Sequence, residues 1–348
     1  MRRLHIIDFL KGYAIFTIII FHYLQTLKLP RPFNQLIFFG GTGVHLFILL
    51  SGFGLYLSYL NRPLTYGAFL KKRTGKIYIP YILVILISAF ISLFIPVYEN
   101  SLYALGGHVF LYKMFDESIM GSYGYPLWFI STILQFYVVF HLLAKAAQRL
   151  TNIQFLLISL AVSLAWTFLV LSIGKESDRV WNSFFLRYLW EFALGMIIAS
   201  RLRQNHYQFP FHIRPIYILL IGICNCAIYA ALALKGGSIG KMINDIPALI
   251  GYSCIAIWVY QHGLAGVTRF FTFTGSISYA LYLLHFLILL MSLLLLENLP
   301  SPLTLLVSLA ATYFIAVYFE KAVASFAFGQ KPLRTEEGGV ATNRDRLY

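Results

Sequence analysis

The sequence predicts an all-α polytopic membrane protein, a bundle of about ten transmembrane helices with both termini in the cytoplasm. Three observations carry that expectation. Of 348 residues, 59% are hydrophobic and 17% aromatic but only 11% charged, where a soluble domain is nearer half apolar and a quarter charged. Mean hydropathy is +0.74. The apolar residues also gather into runs of about 20, the length that crosses a bilayer core.

Ten such runs follow in order: 6–26, 43–60, 77–97, 126–144, 153–173, 182–200, 214–234, 246–263, 276–296 and 302–323. The clearest are 77–97, 153–173 and 276–296; the span 182–200 carries Arg187 and Glu191 within it. A connection near 98–125 has room for a short interfacial helix. One domain is expected over residues 1–330, followed by a polar, disordered cytoplasmic tail over 331–348. With this division, eighteen Lys and Arg fall on the side of the two termini and seven on the other, which places the termini in the cytoplasm. In a bacterium the membrane is the inner one.

The net charge of +14 does not imply nucleic acid here, because membrane topology accounts for the excess of Lys and Arg. Cys224, Cys226 and Cys254 sit in apolar runs, without the spacing of a disulfide framework or a metal site. The basic start "MRRLH" is followed by Asp8 and Lys11, so 6–26 reads as a retained span rather than a cleaved leader.

That first span holds three residues that lipid disfavours: Asp8, Lys11 and His22. Asp and Lys each cost roughly 2.5–3.5 kcal/mol at a helix centre on insertion scales. Eleven residues make nearly three turns, so Lys11 and His22 share a face about 16 Å apart along the axis, with Asp8 one turn below Lys11. The stripe is expected to face the bundle interior. A buried histidine is either a structural hydrogen-bond partner or a general base near neutral pH.

Other polar positions recur with helical spacing. Lys71, Lys72, Arg73 and Lys76 precede the third span, either as topology-setting charges or as an anion site for nucleotide phosphates. Gly52 and Gly54 let helices approach closely, while His45 is ambiguous. Trp128 reads as an outer aromatic-belt residue, and Ser131 and Gln135 share one face of their helix. Arg187 and Glu191, four apart, are expected to pair or to line an outer polar pocket. Ser278, Tyr282 and His285 form a polar stripe on the ninth span.

Taken together, these stretches resemble the acyltransferase-3 family of integral membrane O-acyltransferases. The resemblance rests on Asp8, Lys11, Gly12 and His22; on "GVHLFILLSGFGL" at 43–55; on Arg73 to Lys76 before Pro80; and on "LWFISTILQFY", "EFALGMIIA" and "SISYALYLLH". It covers residues 1–325. The chain departs from the family pattern at Lys11 and Lys76, where arginine is commoner, and at His45 and Gln135, where acidic residues are.

The resemblance implies transfer of an acyl group, acetyl foremost, from cytoplasmic acyl-CoA to a hydroxyl of a carbohydrate or lipid-linked glycan. Acyl-CoA is then a co-substrate, with no permanently bound cofactor, no metal and no nucleic acid. His22, Lys11 and Asp8 are the implied catalytic residues. Lys72, Arg73, Lys76, Ser278, Tyr282 and His285 would hold acyl-CoA, and Trp128, Gln135, Arg187 and Glu191 the acceptor. Direct transfer with His22 as base and a covalent acyl-His22 relay both remain open, as does the oligomeric state. The alternatives from other classes are a proton-coupled secondary transporter and a glycan-export partner.

Overall fold

The computed structural model describes residues 4–328 apart from 31–32, 34–36, 38 and 208–213. The expected tail, 331–348, lies outside the described residues. Every regular element among the described residues is helical. The main helices are α1 (His5–Leu24), α2 (Gly43–Asn61), α3 (Tyr66–Ile91), α4 (Leu102–Val109), α5 (Trp128–Arg149), α6 (Asn152–Ser172), α7 (Leu189–Gln204), α8 (Pro215–Lys235), α9 (Asp245–His262), α10 (Ala265–Ser276), α11 (Ser278–Leu295) and α12 (Ser301–Phe328).

Among the described residues, nine helical segments are long and apolar enough to cross a membrane. The expected run 246–263 forms α9 but is not among the nine, because Asp245, Ser253, Gln261 and His262 dilute its hydropathy. The third span begins at Tyr66, so Lys71, Lys72, Arg73 and Lys76 ride on the first turns of α3 rather than in a loop. The helix α10, read from the sequence as a connection, packs along α1 instead. The connection 98–125 carries α4 as expected, followed by tight helical turns.

The expected span 182–200 is interrupted. A short turn at Arg179–Asn182 and a 3-10 turn at Phe185–Tyr188 precede α7. Two side chains of α5 hold this break open: Thr132 donates to the Ser183 carbonyl at 2.6 Å, and the Gln135 amide oxygen accepts from the Phe185 N–H at 2.9 Å. Backbone groups that leave the helical ladder thus find partners across the bundle.

Helix crossings use glycine where backbones meet. A methyl group on Gly52 of α2 would overlap the Phe192 carbonyl oxygen of α7, and one on Gly195 would overlap the Leu49 carbonyl in return. Gly54 faces open space, contrary to the expectation that both glycines serve the crossing. Phe136 and Phe192 stack at 4.2 Å beside this contact, and Thr151 and Gln154 close a capping box on α6.

The end of α4 and the turn after it bury two basic groups. Lys113 is fully buried, and among the described residues its Nζ has no hydrogen-bond partner. His108 lies between the Tyr81 hydroxyl at 2.6 Å and Ser122 Oγ at 2.8 Å. Burial lowers Lys113 from 10.5 to about 7. Burial, with Lys113 adding to it, lowers His108 from 6.5 to about 2.

Two outcomes are expected. Gly52→Leu lowers stability in detergent by about 1–3 kcal/mol through overpacking, while Gly54→Ala stays within about 0.5 kcal/mol, as read from unfolding midpoints. Between pH 7 and 10.5 the unfolded chain holds a proton at Lys113 that the folded chain has released, so stability rises with pH across that window. The Lys113→Met protein lacks this term. Its unfolding midpoint therefore exceeds the wild type's by more at pH 7 than at pH 9.5, and an equal gap at both would contradict the assignment.

Candidate active site

The geometry centres on α11, which links three polar groups. Near its start, the Tyr279 hydroxyl donates to the Ile77 carbonyl of α3 at 2.6 Å, next to Lys76. Two turns on, His285 is fully buried. Between them the Tyr282 hydroxyl donates to the Pro126 carbonyl at 2.5 Å, docking α11 against the start of α5. Tyr279 and Tyr282 stack at 6.4 Å, and Tyr282 lies 6.2 Å from the His285 ring. Ser278, Tyr282 and His285 are all buried, as a stripe facing the bundle should be.

His285 faces His22 of α1, with ring centroids 5.4 Å apart. The lock beside this pair is Tyr23. Its hydroxyl reaches the His285 carbonyl at 3.3 Å and Thr312 Oγ1 at 2.7 Å, and it accepts from Ser308 Oγ at 3.1 Å. One side chain thus fixes α1 against both α11 and α12. His285 Nδ1 lies 2.8 Å from the Tyr282 carbonyl and 3.1 Å from that of Leu281. Both are acceptors, so Nδ1 carries the proton and Nε2 keeps its lone pair. Nε2 is buried, and among the described residues it has no partner. His285 is therefore built to accept a proton or hydrogen bond, not to donate one to an oxyanion. The Tyr282 hydroxyl is likewise already engaged.

At the start of α3, Arg73 is half-buried while Lys71, Lys72 and Lys76 are exposed. Arg73 sits close enough to Tyr137 of α5 to act on it electrostatically, and Lys76 does the same to Glu320 of α12. Tyr279, bonded to the Ile77 carbonyl beside Lys76, and Tyr282, against His285, form a column of tyrosines from the basic turn of α3 to the two histidines. Asp8 and Lys11 are half-buried on α1 and neither is without a partner. Lys11 stands about 16 Å from His22 along the axis, so the two cannot act on one reacting atom.

A second cluster joins α2, α7 and α9. His45 Nδ1 meets Glu191 Oε1 at 2.7 Å, and its Nε2 meets Asp245 Oδ1 at 3.3 Å. Arg187 Nη2 pairs with Asp245 Oδ2 at 2.9 Å, and its Nη1 donates to Asn182 Oδ1 at 2.5 Å. With both imidazole nitrogens facing carboxylates, the fitting state is imidazolium. Two cations then balance two carboxylates, which is how such a group tolerates burial. The expected Arg187–Glu191 pair does not form: Arg187 lies in the 3-10 turn before α7, so the i, i+4 geometry of one helix is lost, and each residue finds another partner. Glu191 is fully buried, and its Oε2 has no partner among the described residues.

Aromatic rings wall this cluster. Tyr188 lies 5.7 Å from the His45 ring and stacks on Trp128 at 6.1 Å. Trp128 is only 8% exposed, so it lines the interior instead of forming an aromatic belt against lipid. The Arg179 guanidinium covers Trp128 at 4.9 Å and Tyr125 at 4.8 Å.

The acyltransferase-3 family model, described as an acyltransferase domain, matches residues 4–321. The chain belongs to the acyltransferase-3 family. No curated protein and no solved structure matches it. The family match and the apolar helices make this a multi-pass integral membrane protein with an acyltransferase domain. The site residues therefore belong to an acyltransferase-3 fold in which His22, Tyr282 and His285 converge, Arg73 and Lys76 stand at the far end of the tyrosine column, and Trp128, Arg187 and Glu191 share the second cluster. Gln135 serves the break before α7.

Sequence reasoning missed Asp245, Tyr188 and Arg179, and left His45 undecided. Asp245 stood one residue outside its expected span, and Arg179 was counted only as a loop charge. The replacement of an acid by His45 was the available signal, because a buried imidazole between helices calls for carboxylate partners. Removing Glu191 alone leaves buried charge unmatched, so Glu191→Leu is expected to destabilise by about 3–5 kcal/mol. The His45→Leu, Glu191→Leu double variant should lose less than the sum of the two singles. Additivity in a denaturation cycle would contradict the tetrad.

Proposed function

We propose that this acyltransferase moves an acyl group, acetyl foremost, from cytoplasmic acyl-CoA to a hydroxyl of a carbohydrate or lipid-linked glycan, in the inner membrane of a bacterium. The observation that carries the reading is the His22–His285 pair at the end of the tyrosine column that begins beside Arg73 and Lys76. With the N-terminus in the cytoplasm and two crossings before it, the basic turn of α3 faces the compartment that supplies acyl-CoA. Lys72, Arg73 and Lys76 take the CoA phosphates, as cations suited to several anionic oxygens at once. The pantetheine arm runs past Ser278 and Tyr282 and brings the thioester to the histidines.

His22 removes the proton of the acceptor hydroxyl as its oxygen attacks the thioester carbonyl. The C–S bond breaks, the acyl oxygen ester forms, and the CoA thiolate takes the proton from His22. The Nε2 lone pair of His285 holds the His22 ring or the incoming hydroxyl by accepting a hydrogen bond. Asp8 and Lys11 act lower on α1, toward the donor, rather than at the acyl carbon. The acceptor enters from the outer face past Trp128, Arg187 and Glu191, where an aromatic face beside charged groups suits a sugar ring. Gln135 supports that wall by holding the Phe185 N–H. A proton-coupled transporter would also use buried ion pairs, but it needs no tyrosine column leading from a basic turn.

The test is thioester cleavage of acetyl-CoA by purified protein in nanodiscs with a glycan acceptor. His22→Ala is expected to reduce turnover by roughly 10²–10⁴-fold, the usual worth of a general base. Arg73→Ala should raise the donor KM with a smaller effect on kcat. A folded His22→Ala protein with full turnover would remove His22 from the chemistry.

A further inference from the structure

The charges of the second cluster balance, and those next to it do not. Arg187 is matched by Asp245 and His45 by Glu191. Arg179 stands beside them, and among the described residues no carboxylate pairs with its guanidinium. The acids beside it are spent elsewhere: Asp178 pairs with Lys175 at 2.9 Å, and Glu117 Oε1 accepts from the Arg179 backbone N–H at 2.8 Å and Oε2 from that of Val180 at 2.7 Å. These bonds anchor the turn that carries Arg179 to the 98–125 segment and leave the side chain's charge uncompensated.

The guanidinium is nonetheless held firmly. Its plane covers the Trp128 and Tyr125 rings, and Nη2 donates to the Tyr125 hydroxyl. Stacking of this kind engages the face of the group and leaves the edge N–H donors other than the one on Tyr125 available for a ligand. The position is central to the site. Its guanidinium lies on Trp128, and Phe129, next in the chain, packs against Tyr282 at 5.6 Å, the tyrosine beside His285, so Arg179 sits on the wall that leads to the histidine pair. It is half-buried, where a charge–charge contact is screened less than on an open surface.

We propose that Arg179 is a specificity residue that receives an anionic group of the acceptor, a carboxylate or a phosphate, beside Trp128. The inference rests on the acyl-transfer reading and adds the charge of the acceptor to it. A planar fork of N–H donors matches both kinds of oxyanion in bidentate fashion. A neutral sugar could use the Trp128 and Tyr188 faces but would leave the guanidinium unmatched. An acceptor carrying a uronic acid or a sugar phosphate completes the charge balance that Asp245 and Glu191 complete for their neighbours.

The experiment reads binding and turnover in one nanodisc preparation. Glucose, glucuronate and glucose 6-phosphate are titrated against intrinsic fluorescence, with Trp128 as the reporter under the guanidinium and Trp128→Phe as the signal control. In the wild type at least one anionic sugar is expected to bind about tenfold or more tighter than glucose, and the arm that does so identifies carboxylate or phosphate as the group. In Arg179→Gln that preference collapses to about onefold. Arg179→Met, which keeps an apolar stem against the rings, serves as the second variant if the first does not fold. No preference in the wild type, or a preference that survives in both variants, overturns the proposal. Acetyl-CoA cleavage by the wild type is followed alongside: its absence removes the transfer reading, whereas a missing charge preference with cleavage intact removes only the role of Arg179.

Discussion

A polar or charged side chain inside an apolar bundle has to find its counterpart on another helix, and the arrangement of this protein follows from that constraint. Tyr23 meets Thr312, Ser308 and the His285 carbonyl, and so joins α1, α11 and α12. Tyr279 and Tyr282 join α11 to α3 and to the start of α5. His45, Glu191, Asp245 and Arg187 join α2, α7 and α9. Apolar contact against other apolar surface gives little orientation in lipid, so these polar ties do more than their number suggests to set which faces meet. The glycine crossings at Gly52 and Gly195 then bring backbones close enough for the ties to form.

The same ties shape the site. Because Tyr23 is adjacent to His22 in the chain, the lock that orients α1 also presents the His22 ring to His285. Because the carbonyls of α11 take the Nδ1 proton of His285, the other nitrogen is left as an acceptor in a buried place. Structural satisfaction and chemical readiness are therefore two results of one set of bonds. The break before α7 works in the same way. Thr132 and Gln135 satisfy the released backbone, and the residues freed by the break, Arg187 and Tyr188, meet Asp245 and His45, while Arg179 covers Trp128.

Much of this was readable from the sequence because lipid is a demanding solvent. Apolar runs of bilayer length located most of the helices to within a few residues, and the interior stripe of α1 and of α11 followed from helical spacing alone. His22, Tyr282 and His285 stood out because a polar residue in such a run is conspicuous. Three kinds of feature were not readable. The interruption before α7 depends on side chains of α5 far away in sequence, so Arg187 and Glu191 looked like an intrahelical pair. The early start of α3 was hidden because Lys71, Lys72 and Arg73 resemble a loop by composition. Asp245 and Arg179 lie at helix ends, where charge is ordinary, and only the fold shows that those ends turn inward.

Acyl transfer at the histidine pair needs one path that joins it, along α11, to the basic turn of α3. Photocrosslinking tests it most directly: an acyl-CoA carrying a photoreactive group at the end of its acyl chain is bound to the purified protein and the adduct is mapped by mass spectrometry. The account predicts labelling on α11 near Tyr282 to Phe286 or on α1 near His22, suppressed by excess unlabelled CoA. Labelling confined to other faces of the bundle, with the same sensitivity to CoA, would contradict it.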